Sequence, residues 1–242
     1  NILEIDFTEF DTSEVTSMRS LFSGCEKLNN IIFGNFHTSL VINMDLMFSH
    51  CISLYSIDLS NFDTSNVEMM NEMFELCSSL TSLNITKFNT SKVQTMTKMF
   101  SGCSSLTSLD ITNLNTSQVT NMLSIFEGLE SIKEINLSNI DTSKVIEISN
   151  FMKGCKSLTS LHINLKLPKA VNLLGLFCDC SSLISLEISK LEALYAIDLR
   201  LMFSGLKSCK SLDLSNLKIS NVQTMDSMFD GSSSIVSINF NG

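Results

Sequence analysis

The chain has 242 residues, 44% hydrophobic and only 17% charged, with 25 acids against 16 bases and a net charge of −9. That deficit of positive charge argues against general affinity for nucleic acid or anionic membrane, which both select basic surfaces. One Pro and no Trp exclude a Pro-rich linker. No apolar run reaches the roughly 18 residues of a membrane span, so direct insertion is not expected. The opening Asn1-Ile2-Leu3-Glu4 lacks the basic start and long apolar core of a secretory signal.

The chain repeats itself. Phe22, Phe48, Phe74, Phe100 and Phe126 recur every 26 residues. Met152 then holds the place with Phe151 beside it, and Phe177, Phe203 and Phe229 follow. Val15 to Val145, Met18 to Met122 and Cys25 to Cys103 run in step, and Cys155 and Cys180 rejoin the last column. About nine copies tile residues 1–242 without a break in composition, which reads as one domain. One repeat cannot bury its apolar face alone, so neighbours must stack and share a core.

Within a copy, Leu54 to Leu59 places apolar residues at 54, 57 and 59 around Asp58, the alternation of a short strand. Asp63-Thr64-Ser65 follows as a helix-entry signal, and Val67, Met70, Met73 and Phe74 then close one face of a short helix. The expectation is an α/β solenoid, with a parallel sheet on one side and short helices on the other. Copies between Leu158 and Ser208 lose the Thr-Ser signature, and one is a residue short, which predicts a local irregularity in curvature.

The segment from Leu80-Thr81-Ser82-Leu83 through Asn89-Thr90-Ser91 to Met99-Phe100-Ser101-Gly102-Cys103 resembles the repeat of BspA-like bacterial surface proteins and lipoproteins, a branch of the leucine-rich repeats. The resemblance spans nearly the whole chain. It implies a curved solenoid with strands on the concave face, adhesion or partner binding at the cell surface, and no enzymatic activity. The sequence departs from ordinary leucine-rich repeats where an Asn follows the strand. Phe62, Phe88, Leu114 and Ile140 stand there instead, which predicts a turn packed by apolar residues.

The residue at the strand centre points away from the core. That column reads Asp58, Asn84, Asp110, Asn136, His162, Glu187 and Asp213, flanked by a column of Ser. A polar, mildly acidic strip suits a protein or glycan ligand that offers donors; the plainer reading is a solvated strand face. Calcium needs oxygens converging on a point, which a line of carboxylates does not supply, so neither a metal nor a cofactor is expected. Six of the eight Cys lie in one ladder whose Leu129 and Leu206 accept the same place, so they read as buried apolar thiols. The Thr column reads as helix caps, which leaves no free hydroxyl array. No catalytic motif is present. Sequons at Asn84, Asn89, Asn115 and Asn136 matter if the chain is secreted by a eukaryote. The ends show no polar capping unit, which predicts a piece of a longer protein. Unpaired thiols leave open a second reading, a scaffold subunit in an intracellular assembly.

Overall fold

The computed structural model describes residues 2–188, 191, 193–215, 217 and 220–240. Its strands are short and parallel: β1 (Glu4–Asp6), β2 (Asn30–Ile32), β3 (Glu134–Leu137), β4 (Ser160–Ile163), β5 (Leu186–Glu187), β6 (Ser211–Asp213) and β7 (Ser237–Asn239). They pair β1–β2, β3–β4 and β5–β6–β7 with each residue opposite its repeat equivalent, as in Ile135 with Leu161 and Leu212 with Ile238. Stacked coils in one register put every apolar column into a continuous core. In the coils between β2 and β3 the equivalent residues keep alternating burial without forming a strand, with Leu83 buried and Asn84 exposed.

The expected helices are absent: no described residue is helical. Val67, Met70, Met73 and Phe74 are buried as the spacing requires, but on a run of turns. The backbone shows why. The amides of Met44, Leu46, Phe48 and His50 donate to carbonyls of the following coil, at Met69, Asn71, Met73 and Glu75 (2.7–3.0 Å). The alternating amides of Met47, Ser49 and Cys51 donate three residues back within the coil. Alternate amides thus lock the coil to its neighbour and fold it on itself. Such a chain must reverse sense every few residues, so Leu46 (φ 57°) and His50 (φ 61°) take left-handed conformations that no helix tolerates. A continuous ladder of parallel bridges accompanies these turns, from Ser17 through Asn43, Met69, Thr95, Asn121, Glu147, Asn172 and Asp198 to Thr224.

Phenylalanines fill the interior. Phe74, Phe100 and Phe126 are fully buried and stack at 6.1 and 5.9 Å with nearly parallel rings. The stack turns at Phe151, which meets Phe126 edge-on at 5.2 Å, and resumes from Phe177 to Phe203 and Phe229. Phe62, Phe88, Leu114 and Ile140 are buried in the turn after the strand, as their apolar character predicts.

The Thr column does not cap helices. Thr64 is buried, donates its hydroxyl to the carbonyl of Asn89 in the next coil (3.1 Å) and accepts from the same residue's amide (2.8 Å). Thr12, Thr38, Thr116 and Thr142 form the same two-bond clip. Burial of this row removes it as a surface array. The entry residues Asp11, Asp63, Asn89, Asn115 and Asp141 do accept the amide two residues on, but the bond closes a tight turn. The clips also locate the short coil. They span 25 residues up to Thr116 and Asp141, and 24 from Thr142 to Lys166. Leu137 still faces Ile163 in register, so the missing residue falls between Ile163 and Lys166. Asn164 lies there, and its buried Oδ1 has no hydrogen-bond partner among the described residues.

Candidate functional site

The strand-face column is held by a device that repeats in most coils. Asp58 Oδ1 accepts the amide of Ser60 (2.9 Å), and Asp110 Oδ1 accepts the amide of Thr112 (3.0 Å) and its hydroxyl (2.7 Å). Asn84 binds Thr86, Asn136 binds Ser138 and Asp213 binds Ser215 in the same way. Each side chain therefore closes the turn that follows the strand and is fixed by doing so. The bonds stabilise the ionised form and hold the carboxyls below their usual range. At Asp58 the amide of Ser60 is the main cause, at Asp110 the hydroxyl of Thr112 and at Asp213 the hydroxyl of Ser215.

One oxygen of each carboxylate is thus committed to the fold. The Oδ2 atoms of Asp58, Asp110 and Asp213 and the Nδ2 atoms of Asn84 and Asn136 have no protein partner among the described residues, and all five side chains are exposed. The result is a row of oriented acceptors and donors one coil apart, edged by exposed Ser56, Ser82 and Ser108. Tyr55 adds an exposed ring on this side. His162 is brought opposite Asn136 by the β3–β4 register, and its Nε2 stands 3.8 Å from Glu134 Oε1, an exposed pair. The side chain of Glu187 lies outside the described residues. The sequon residues Asn84, Asn89, Asn115 and Asn136 are exposed, each with its Oδ1 engaged in a turn.

Other chemistry-bearing groups serve packing. All eight Cys are free thiols. In the ladder, Cys51, Cys77, Cys103, Cys155 and Cys180 each donate Sγ–H to a carbonyl of the preceding coil, such as Phe74 for Cys103 (3.0 Å). Burial pushes the Cys51 and Cys103 thiols up to about 12, far from nucleophilic thiolate. Ser49, His50 and Glu75 come together on the turn side, a set that sequence reading did not assemble. The Ser49 hydroxyl contacts both His50 Nδ1 (2.9 Å) and Glu75 Oε2 (3.3 Å), so His does not stand between acid and hydroxyl as a relay would need. Ser49 is fully buried, and Glu75 is paired with Lys98 at 3.0 Å. Among the described residues no three or more His, Cys, Asp or Glu side chains gather as a metal site.

Stacked parallel coils around an aromatic spine, with a fixed polar row on one face, define a repeat solenoid. The chain belongs to the family described as Mycoplasma protein of unknown function, DUF285, which matches residues 1–104, 77–183 and 164–240. No curated protein matches the sequence. Three solved structures are similar to it at low identity. A leucine rich cell surface protein from Faecalibacterium prausnitzii is 15% identical, with 100% of this chain and 88% of that one covered and a TM-score of 0.42. A leucine-rich repeat protein from Eubacterium ventriosum is 14% identical over 96% and 77% of the two chains, at 0.45. One from Bacteroides ovatus is 19% identical over 99% and 73%, at 0.35.

Proposed function

We propose that the chain is a non-enzymatic, cell-surface binding module of about nine coils. Its strand side is the concave face and takes a protein or glycan ligand. The observation that carries this is the double duty of Asp58, Asn84, Asp110 and Asn136. One side-chain atom closes a turn, and the other is left oriented outward in register. The turn bonds already fix the row, so a ligand with spaced hydroxyls or basic groups meets groups whose ordering cost is met within the fold. The test is a glycan and protein array probed with the native chain and with the variant D58A/D110A. Retained binding at unchanged affinity excludes this face.

A second reading is a scaffold subunit inside a cell, prompted by free thiols. The geometry weakens its premise. Seven of the eight thiols are buried, and buried thiols of raised pKa persist in either compartment.

A further inference from the structure

A second surface lies along the corner where the coil leaves the Thr clip. The bridges join Glu147, Asn172 and Asp198 in register, which lines up Ile146, Val171 and Ile197 in one column and Lys144, Lys169 and Tyr195 in another. Ile146 (54% exposed), Val171 (38%) and Tyr195 (61%) face solvent, with Leu194 beside them (43%). The fold does not demand this. In the three preceding coils the same two columns hold Asn66 and Glu68, Lys92 and Gln94, Gln118 and Thr120, on the same bridges and the same backbone bonds. Contiguous exposed apolar side chains with no structural need mark contact surfaces.

Charge indicates the occupant. The chain is strongly acidic overall, yet Lys144 and Lys169 share one column here, and Lys166 lies with Lys144 beside Asp141. None of the three is in an ion pair among the described residues; Lys144 donates to the neutral Gln118 side chain at 2.7 Å. The carboxylates that flank this corner among the described residues are already engaged: Asp141 Oδ1 accepts the Ser143 amide, Glu147 Oε1 accepts the Ser149 amide, and Asp198 pairs with Arg200. We infer that this corner docks an acidic polypeptide segment carrying aromatic or aliphatic side chains, with carboxylates meeting the lysines and apolar groups covering Ile146, Val171 and Tyr195. This surface is separate from the strand face, and neither depends on the other.

The test uses the whole chain and a random copolymer of glutamate and tyrosine, with polyglutamate and phosphatidylglycerol vesicles as comparators. The copolymer is expected to bind in a salt-sensitive manner and more tightly than either comparator. The variants K144Q/K169Q and I146S/Y195S should each weaken it about tenfold. L40S/I42S, which removes an exposed apolar pair without lysines on the same columns, should leave it unchanged, as should D58A/D110A. Thermal melts of each variant exclude unfolding as the cause. Absence of copolymer binding, equal binding by all variants, or tighter binding to the vesicles overturns the proposal.

Discussion

Leu76 lies over Gly102: a Cβ built on Gly102 would sit 2.5 Å from Leu76 Cδ2. Both residues occupy one column, both have positive φ (57° and 72°), and both end a run of turns. The column needs a left-handed residue in every coil, and Gly102 supplies it without strain while Leu76 supplies it by packing on its neighbour. Ala substitution tests the site by site cost. Gly24→Ala meets open space and should lose only about 1 kcal/mol to its left-handed backbone. Gly205→Ala also approaches the Asp179 Cα at 3.1 Å and should lose more, about 2 kcal/mol or above. Denaturant midpoints rank the two, and equal losses would show that the coils are not close-packed at this column.

Phe100 and Asp110 separate interior from face. Phe100 is fully buried between two stacked rings. Truncation to Ala should cost about 3–5 kcal/mol, because a ladder fixed on both sides closes poorly over the cavity. Asp110→Ala removes only the two exposed turn bonds from Thr112 and should cost far less than the Phe100 truncation. Chemical melts of the two variants measure the difference.

The Thr clip separates the turn solenoid from a helical one. Thr64→Val deletes both clip bonds and strands the amide of Asn89, for an expected loss of about 1–3 kcal/mol. Thr64→Ser keeps the hydroxyl and should lose less. Hydrogen exchange should quicken at Asn89, in the neighbouring coil. A helix cap would quicken it within residues 65–67 of its own.

Acid should destabilise the fold through its turns. Asp11, Asp63, Asp110, Asp141 and Asp213 are all held below the usual carboxylate value by bonds to the following turn. The stability they supply is complete above their unfolded value of about 3.9 and is lost as pH falls through the lower folded value. Glu72 has the opposite sign, since burial and then the charge of Glu75 raise its carboxyl. Glu72→Gln should therefore raise the melting midpoint at pH 7, and the gain should vanish by about pH 4. Melts across that range check both signs.

Much of this was legible in the residues. The period, the buried columns at Phe22, Val41, Met70 and Leu106, and the outward Asp58 column follow from side-chain chemistry alone. The helix did not survive, because spacing of three and four is shared by helices and by successive turns. The distinguishing signal was present in Gly24, Gly102, Gly128, Gly154, Gly205 and Gly231, which hold one place in six of the coils and all have positive φ. The second left-handed column is marked in only two coils, by Asn150 and Gly175, whereas Leu46, Glu72 and Lys98 are ordinary helix formers forced by their neighbours. The Thr clips were illegible for another reason, since their partners lie a coil away and no local pattern encodes them. The turn-closing role of Asp58 and Asp110 was missed although the Ser or Thr two residues on was in view.

Exposure of the module on intact cells is the most direct test of its surface role. Source cells are shaved with protease, and an antibody against residues 54–112 reports survival of the region beside a cytosolic marker. The account predicts that the signal is lost while the marker persists. Survival of the signal until lysis would contradict it and place the solenoid inside.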